Sequence, residues 1–93
     1  MCAAMIGGMT RLRKDYERLA SERGLKLKWF EGSERDICDK IGCPCAIIVC
    51  TNKVSHTAKR QAEKTARSRN IPCILMHACG TAALRDCLNR LQS

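Results

Sequence analysis

Four short apolar runs, each followed by a turn signal and then a helical pattern, constrain this chain more than any other feature. They are CAAMI at 2–6, LKLKWF at 25–30, AIIVC at 46–50 and CILM at 73–76. Runs of this length between turn residues read as strands, and β-α units in succession predict a parallel sheet joined by right-handed crossovers. AIIVC is apolar at every position, which suits a strand buried on both faces, whereas LKLKW alternates as an edge strand does. Together the two patterns predict strand order 2-1-3-4 with helices on both faces. This is a small flavodoxin-like or Rossmann-like α/β sheet, with residues 1–93 forming one domain.

The intervening segments predict the helices. The first is expected to start at Thr10 as N-cap, to place Leu12, Tyr16, Leu19 and Ala20 on one face, and to end at Gly24. A short second helix is expected from Ser33, with Asp36 in the capping-box position, through Ile37 and Ile41 to Gly42. The third follows Ser55 and carries Ala58, Ala62 and Ala66 at four-residue spacing, with Pro72 beyond its end. The fourth begins near Thr81 and buries Leu84, Leu88 and Leu91.

A chain of 93 residues has a modest core, so added burial from a second subunit is expected, and the chain is read as a homodimer. Its only aromatic residues are Tyr16, Trp29 and Phe30, which makes the core aliphatic. The net charge of +8 predicts attraction to anions. No basic leader precedes an apolar core, and no stretch approaches the roughly 20 apolar residues of a membrane span. A cytoplasmic protein with no membrane partner is therefore expected, and in that reducing compartment the 8 cysteines read as free thiols, small buried hydrophobes or metal ligands.

In an open parallel sheet the ligand crevice lies beyond the carboxyl ends of the strands, where the strand order reverses, here between strands 1 and 3. The loops there carry Gly7, Gly8 and Thr10, then Thr51, Lys53, Ser55 and His56, then His77 and Thr81. Cations open three helices at this edge: Arg11, Arg13 and Lys14 on the first, Lys53, Lys59 and Arg60 around the third, and Arg85 on the fourth. Each is disfavoured there by about 0.3–1 kcal/mol against the helix dipole, and a bound anion reverses that sign. The leading reading is a ligand-binding or sensor domain for a small anionic or phosphate-bearing molecule. Ser55 and backbone amides would contact the anion, Arg11 and Lys53 would balance its charge, and His56 and His77 would hydrogen-bond it or titrate with it. GGMTRLR is neither the dinucleotide glycine fingerprint nor a P-loop, so neither NAD nor ATP is predicted. Nothing in the pattern assigns a reaction.

Two alternatives remain open. Cys50, His56, His77 and Cys79 could supply sulfur and imidazole to zinc or iron, or act as a thiol redox site. Cys45 and Cys50 stand at opposite ends of one strand, roughly 16 Å apart, so the cysteines divide into two groups. Cys2, Cys38, Cys43, Cys45 and Cys73 fall at the amino edge, where a labile iron–sulfur cluster, a thiol switch or idle thiols are the options. The second alternative is nucleic-acid binding through Lys53, Lys59, Arg60, Lys64, Arg67 and Arg69, opposed by Glu63 alone. No helix-turn-helix, RRM or zinc-knuckle pattern accompanies that face, and stacking aromatics are scarce.

The segments GGMTRLRKDYERLASERG, TNKVSH and HACGTAAL resemble the bacterial domain-of-unknown-function family 2325, over nearly the whole chain. The resemblance implies a small Rossmann-type α/β domain with Gly7, Gly8, Arg11, Tyr16, Thr51, Val54, Ser55, His56, His77 and Leu84 as family positions. Cys79 and Gly80 stand where a Ser-Ser pair is typical. With no activity established for the family, the resemblance implies the fold and the place of the site but no reaction.

Overall fold

The computed structural model describes residues 2–32 and 37–92. Four parallel strands, β1 (Cys2–Ile6), β2 (Lys26–Phe30), β3 (Ala46–Cys50) and β4 (Cys73–Met76), lie in the order β2-β1-β3-β4. The helices are α1 (Arg13–Glu22), α2 (Ile37–Lys40), α3 (His56–Ser68) and α4 (Thr81–Gln92). Fold class and strand order agree with the expectation from the apolar runs.

All of β3 and the last four residues of β1 are buried, because strands in the middle of a parallel sheet are covered on both faces. Alternate side chains of each strand enter different clusters. Ala3, Met5, Ile48 and Cys50 pack with Tyr16 and Ala20 of α1 and with Leu84 and Leu88 of α4. Ala4, Ile6, Ile47 and Val49 pack with Ala58, Ala62 and Ala66 of α3. Each large aliphatic side chain fully buried here contributes about 1.5–3 kcal/mol. The alanine spacing of α3 lets that helix lie close to the sheet. On β2, Leu27 is buried while Lys26 and Lys28 are exposed, which is the alternation that predicted an edge.

Helix starts depart from expectation in one place and hold in another. Thr10 does not cap α1: it opens a single 3-10 turn, Thr10–Leu12, and the helix begins at Arg13 without a side-chain cap. The reason is tertiary, since the amide of Met9 is held by the buried Tyr16 hydroxyl at 3.1 Å, which fixes the approach of the chain. Ser55 does cap α3, its Oγ accepting from the amide of Ala58 at 3.1 Å. The expected Ser33 and Asp36 start of the second helix lies outside the described residues. What is seen of that helix ends at Lys40, so Ile41 is buried beyond the helix rather than within it.

Candidate functional site

Three backbones meet at the carboxyl edge. The amide of Gly7 donates to Phe30 O at 2.9 Å, and that of Ser55 donates to Gly32 O at 2.7 Å, so the loops after β1, β2 and β3 are tied in sequence. Gly7 has φ +86°, and a Cβ there would stand 2.7 Å from Lys53 O. A Cβ on Gly32 would fall inside the contact radius of the same carbonyl oxygen. These glycines are needed because backbone passes where a side chain would be.

Above this junction lies an open hollow of about 410 Å³ lined by Gly8, Thr10, Trp29, Glu31, Gly32, Lys53, Val54 and Ser55. Trp29 is positioned by its indole N–H, which donates to Gly7 O at 3.0 Å, and by the Arg13 guanidinium 5.5 Å from its ring centroid. Arg13 also pairs with Glu17 at 3.1 Å. The α3 N-terminus opens beside the hollow, with its first-turn amides at His56 and Thr57. Lys53 and Glu31 give the lining both signs of charge.

Of the residues expected at the site, Gly8, Thr10, Lys53 and Ser55 share this hollow. Gly7 is not part of the lining and belongs to the backbone junction with Lys53, while Arg11 is exposed, with its guanidinium 3.8 Å from Met9 Sδ. His56 is exposed on α3, and Thr81 opens α4 away from the hollow lining. Val54, a position implied by the family resemblance, lines the hollow too, whereas Trp29, Glu31 and Gly32 were not anticipated. WFEG ends the strand predicted to lie beside strand 1, but its indole and carboxylate carry none of the positive charge that marks an anion site.

Thr51 and His77 form a second group on the β4 side. Thr51 Oγ1 lies 3.0 Å from His77 Nδ1 and 3.4 Å from Met76 O, and Asn52 Nδ2 donates to His77 O. Beneath them Cys50 and Cys79 are joined by a disulfide across a Cα–Cα distance of 5.9 Å, within the span a disulfide bridges. Tyr16, fully buried, donates its hydroxyl proton to Cys79 O at 2.5 Å. The last strand end, the α4 loop and the first-strand loop are thereby linked.

The family model for uncharacterized proteins conserved in bacteria (DUF2325) matches residues 2–91. The chain belongs to this family. A de novo designed Rossmann fold protein shares the architecture at TM-score 0.59 and 15% identity, covering 97% of this chain and 94% of that one. No curated protein matches the chain.

Five of the positions that carry the resemblance to DUF2325 have roles the structure explains. Gly7 permits a close backbone approach, Gly8 lies against Tyr16, Ser55 caps α3, Leu84 is buried, and Tyr16 joins two loops. For this member of DUF2325 the expected metal set is not assembled: Cys50 and Cys79 bond to each other, and His77 contacts Thr51. Among the described residues no three of His, Cys, Asp and Glu gather as metal ligands. At the amino edge Cys43 and Cys45 are exposed, while Cys2 and Cys73 are half-buried. The reading of all cysteines as thiols or ligands is corrected at Cys50 and Cys79, whose pairing depends on contacts 29 residues apart in sequence.

On α3, Arg60, Lys64 and Arg67 are exposed at helical spacing, whereas Arg69 turns back to donate to Gly42 O. Among the described residues no helix is long and apolar enough to cross a membrane.

Proposed function

We propose that this DUF2325 domain binds a small anionic or phosphate-bearing molecule in the hollow beside Gly8 and Ser55, as a sensor or ligand carrier rather than through turnover. The observation that carries the reading is the convergence of Lys53, the Thr10 and Ser55 hydroxyls and the α3 N-terminus on one cavity. Glu31 sharpens the ligand class: beside the anionic group the molecule would carry a hydroxyl or amine that donates to this carboxylate. Trp29 offers an apolar wall.

Thermal unfolding in the presence of inorganic phosphate, sugar phosphates and nucleotides tests this. A ligand at one hundred times its Kd should stabilise the fold by about 2.7 kcal/mol, and Lys53→Glu should abolish that gain. No stabilisation by any of them at millimolar concentration removes the reading.

A second reading has its own observation, the Cys50–Cys79 disulfide next to Thr51 and His77. As a redox-responsive element it would take two electrons and two protons from an external dithiol and become two thiols, releasing the tie between β3 and the α4 loop. Titrating thiols against a graded dithiol buffer decides it: a pair that stays oxidised at every potential of the buffer is structural, not responsive.

A further inference from the structure

The two lateral edges of the sheet differ in what they expose. β2 ends the sheet with Lys26 and Lys28 exposed, the charged edge by which proteins discourage further strand pairing. β4 ends it with Cys73, Ile74, Leu75 and Met76, and carries no charge. Leu75 is 46% exposed.

Hydrogen-bond direction adds to this contrast. The amide of Ile47 on β3 takes Pro72 O at 2.9 Å, so along β4 the backbone groups of Pro72, Ile74 and Met76 turn toward β3. Cys73 and Leu75 then turn theirs outward, where the sheet has no further strand among the described residues.

Hollows flank β4 on both faces, and the one on the α3 side is mainly apolar. One, of about 310 Å³, is lined by Ala66, Ile71, Cys73 and Leu75 with Glu63 and Arg67 of α3 at its rim. The other, about 210 Å³, is mixed: Ile74, Leu75, Met76, Ala83 and Cys87 line it together with the polar side chains of His77 and of Asp86 and Arg90 on α4. Each helix thus presents an acidic residue followed four positions later by a basic one. In a chain of net charge +8, the rim of this edge is locally neutral.

That arrangement is self-complementary. A two-fold axis normal to the sheet runs a second β4 antiparallel to the first and reverses the helices beside it. Glu63 then faces Arg67 of the second copy, and Asp86 faces Arg90 of the second copy, while the outward groups of Cys73 and Leu75 complete a ladder. We infer that β4 is the docking edge for a second copy of this chain, giving a continuous eight-stranded sheet in which Leu75 lies at the centre of the contact. The inference is independent of any ligand in the carboxyl-edge hollow.

Sedimentation velocity tests it on the full chain carrying Cys43→Ser and Cys45→Ser, so that these exposed thiols cannot crosslink copies. A reversible dimer is expected at tens of micromolar. Leu75→Lys should raise its Kd by about 30-fold or more, as loss of a central apolar anchor does, while Lys28→Leu on the other edge leaves it unchanged. Glu63→Arg should weaken the dimer and Glu63→Arg with Arg67→Glu should restore it, which keeps the test decisive if Leu75→Lys fails to fold. A monomer at every concentration, a dimer indifferent to Leu75→Lys, or a double swap that recovers nothing overturns the proposal.

Discussion

On the β2 side of the carboxyl edge, the backbones of Gly7, Gly32 and Lys53 meet at contact distance, and a hollow opens above them. On the β4 side, side chains do the joining, through Cys50–Cys79, Thr51–His77 and the Tyr16 hydroxyl. Close backbone contact leaves room for a ligand because no side chain fills the junction. The side-chain ties instead fill the β4 side, which therefore acts as a clamp. The expected site spanned both; the structure separates a cavity from its support.

The largest effect expected from breaking the comparison comes from reducing Cys50–Cys79. With the partners 29 positions apart in sequence, chain-entropy reasoning assigns the bond about 3–4 kcal/mol. Urea unfolding with and without dithiol should show a loss of that order, and hydrogen exchange should quicken at residues 77–81 while the amide of Ser55, bonded to Gly32 O, keeps its protection. Equal exchange gains on both sides would merge the two regions into one unit.

Next comes Gly32→Ala, which drives a Cβ into Lys53 O and should cost about 3 kcal/mol in denaturant unfolding. Gly80→Ala on the β4 side is the matched control: nothing lies within 4 Å of its added Cβ, so a change within about 0.5 kcal/mol is expected.

Tyr16→Phe removes the hydroxyl that serves both Met9 N and Cys79 O. Leaving the two backbone groups without it should cost about 2 kcal/mol, with the fold retained by circular dichroism. A loss near zero would show that water replaces the hydroxyl and that the two loops are not coupled through it.

The smallest effect is chemical. Burial pushes the Cys73 thiol up, and the Glu63 carboxylate pushes it further the same way. Burial likewise raises Cys87, against a smaller opposing pull from Arg90. Mass-spectrometric alkylation at mildly alkaline pH should therefore label exposed Cys43 and Cys45 well before Cys73 and Cys87. Because the folded state holds those two protons more tightly than the unfolded one, the associated stability is present below the unfolded thiol pKa. It is lost as pH rises through the folded value.

Much of the fold was legible because strand burial leaves a pattern in the chain. AIIVC reads as a doubly covered strand, LKLKW as a half-covered one, and Ser55 three residues before Ala58 as a local cap, as the structure has them. Thr10 looked the same locally, yet Met9 is held by Tyr16 and the helix starts later. Most of the hollow was legible too, at Gly8, Thr10, Lys53, Val54 and Ser55, because the place of the crevice follows from strand order. Glu31 and Trp29 were not legible because neither a carboxylate nor an indole carries the positive charge that marks an anion site.

Periodicity and turn residues by themselves determined the parallel sheet, its order and the loops that border the crevice, since these depend on residues close in sequence and on one rule of handedness. Tertiary structure alone decided that Cys50 meets Cys79, that Tyr16 reaches across 63 residues to Cys79 O, and that Gly32 must lack a side chain because Lys53 O occupies its space. Such contacts are set by where the packed helices bring distant loops together, and no short stretch of sequence carries that distance.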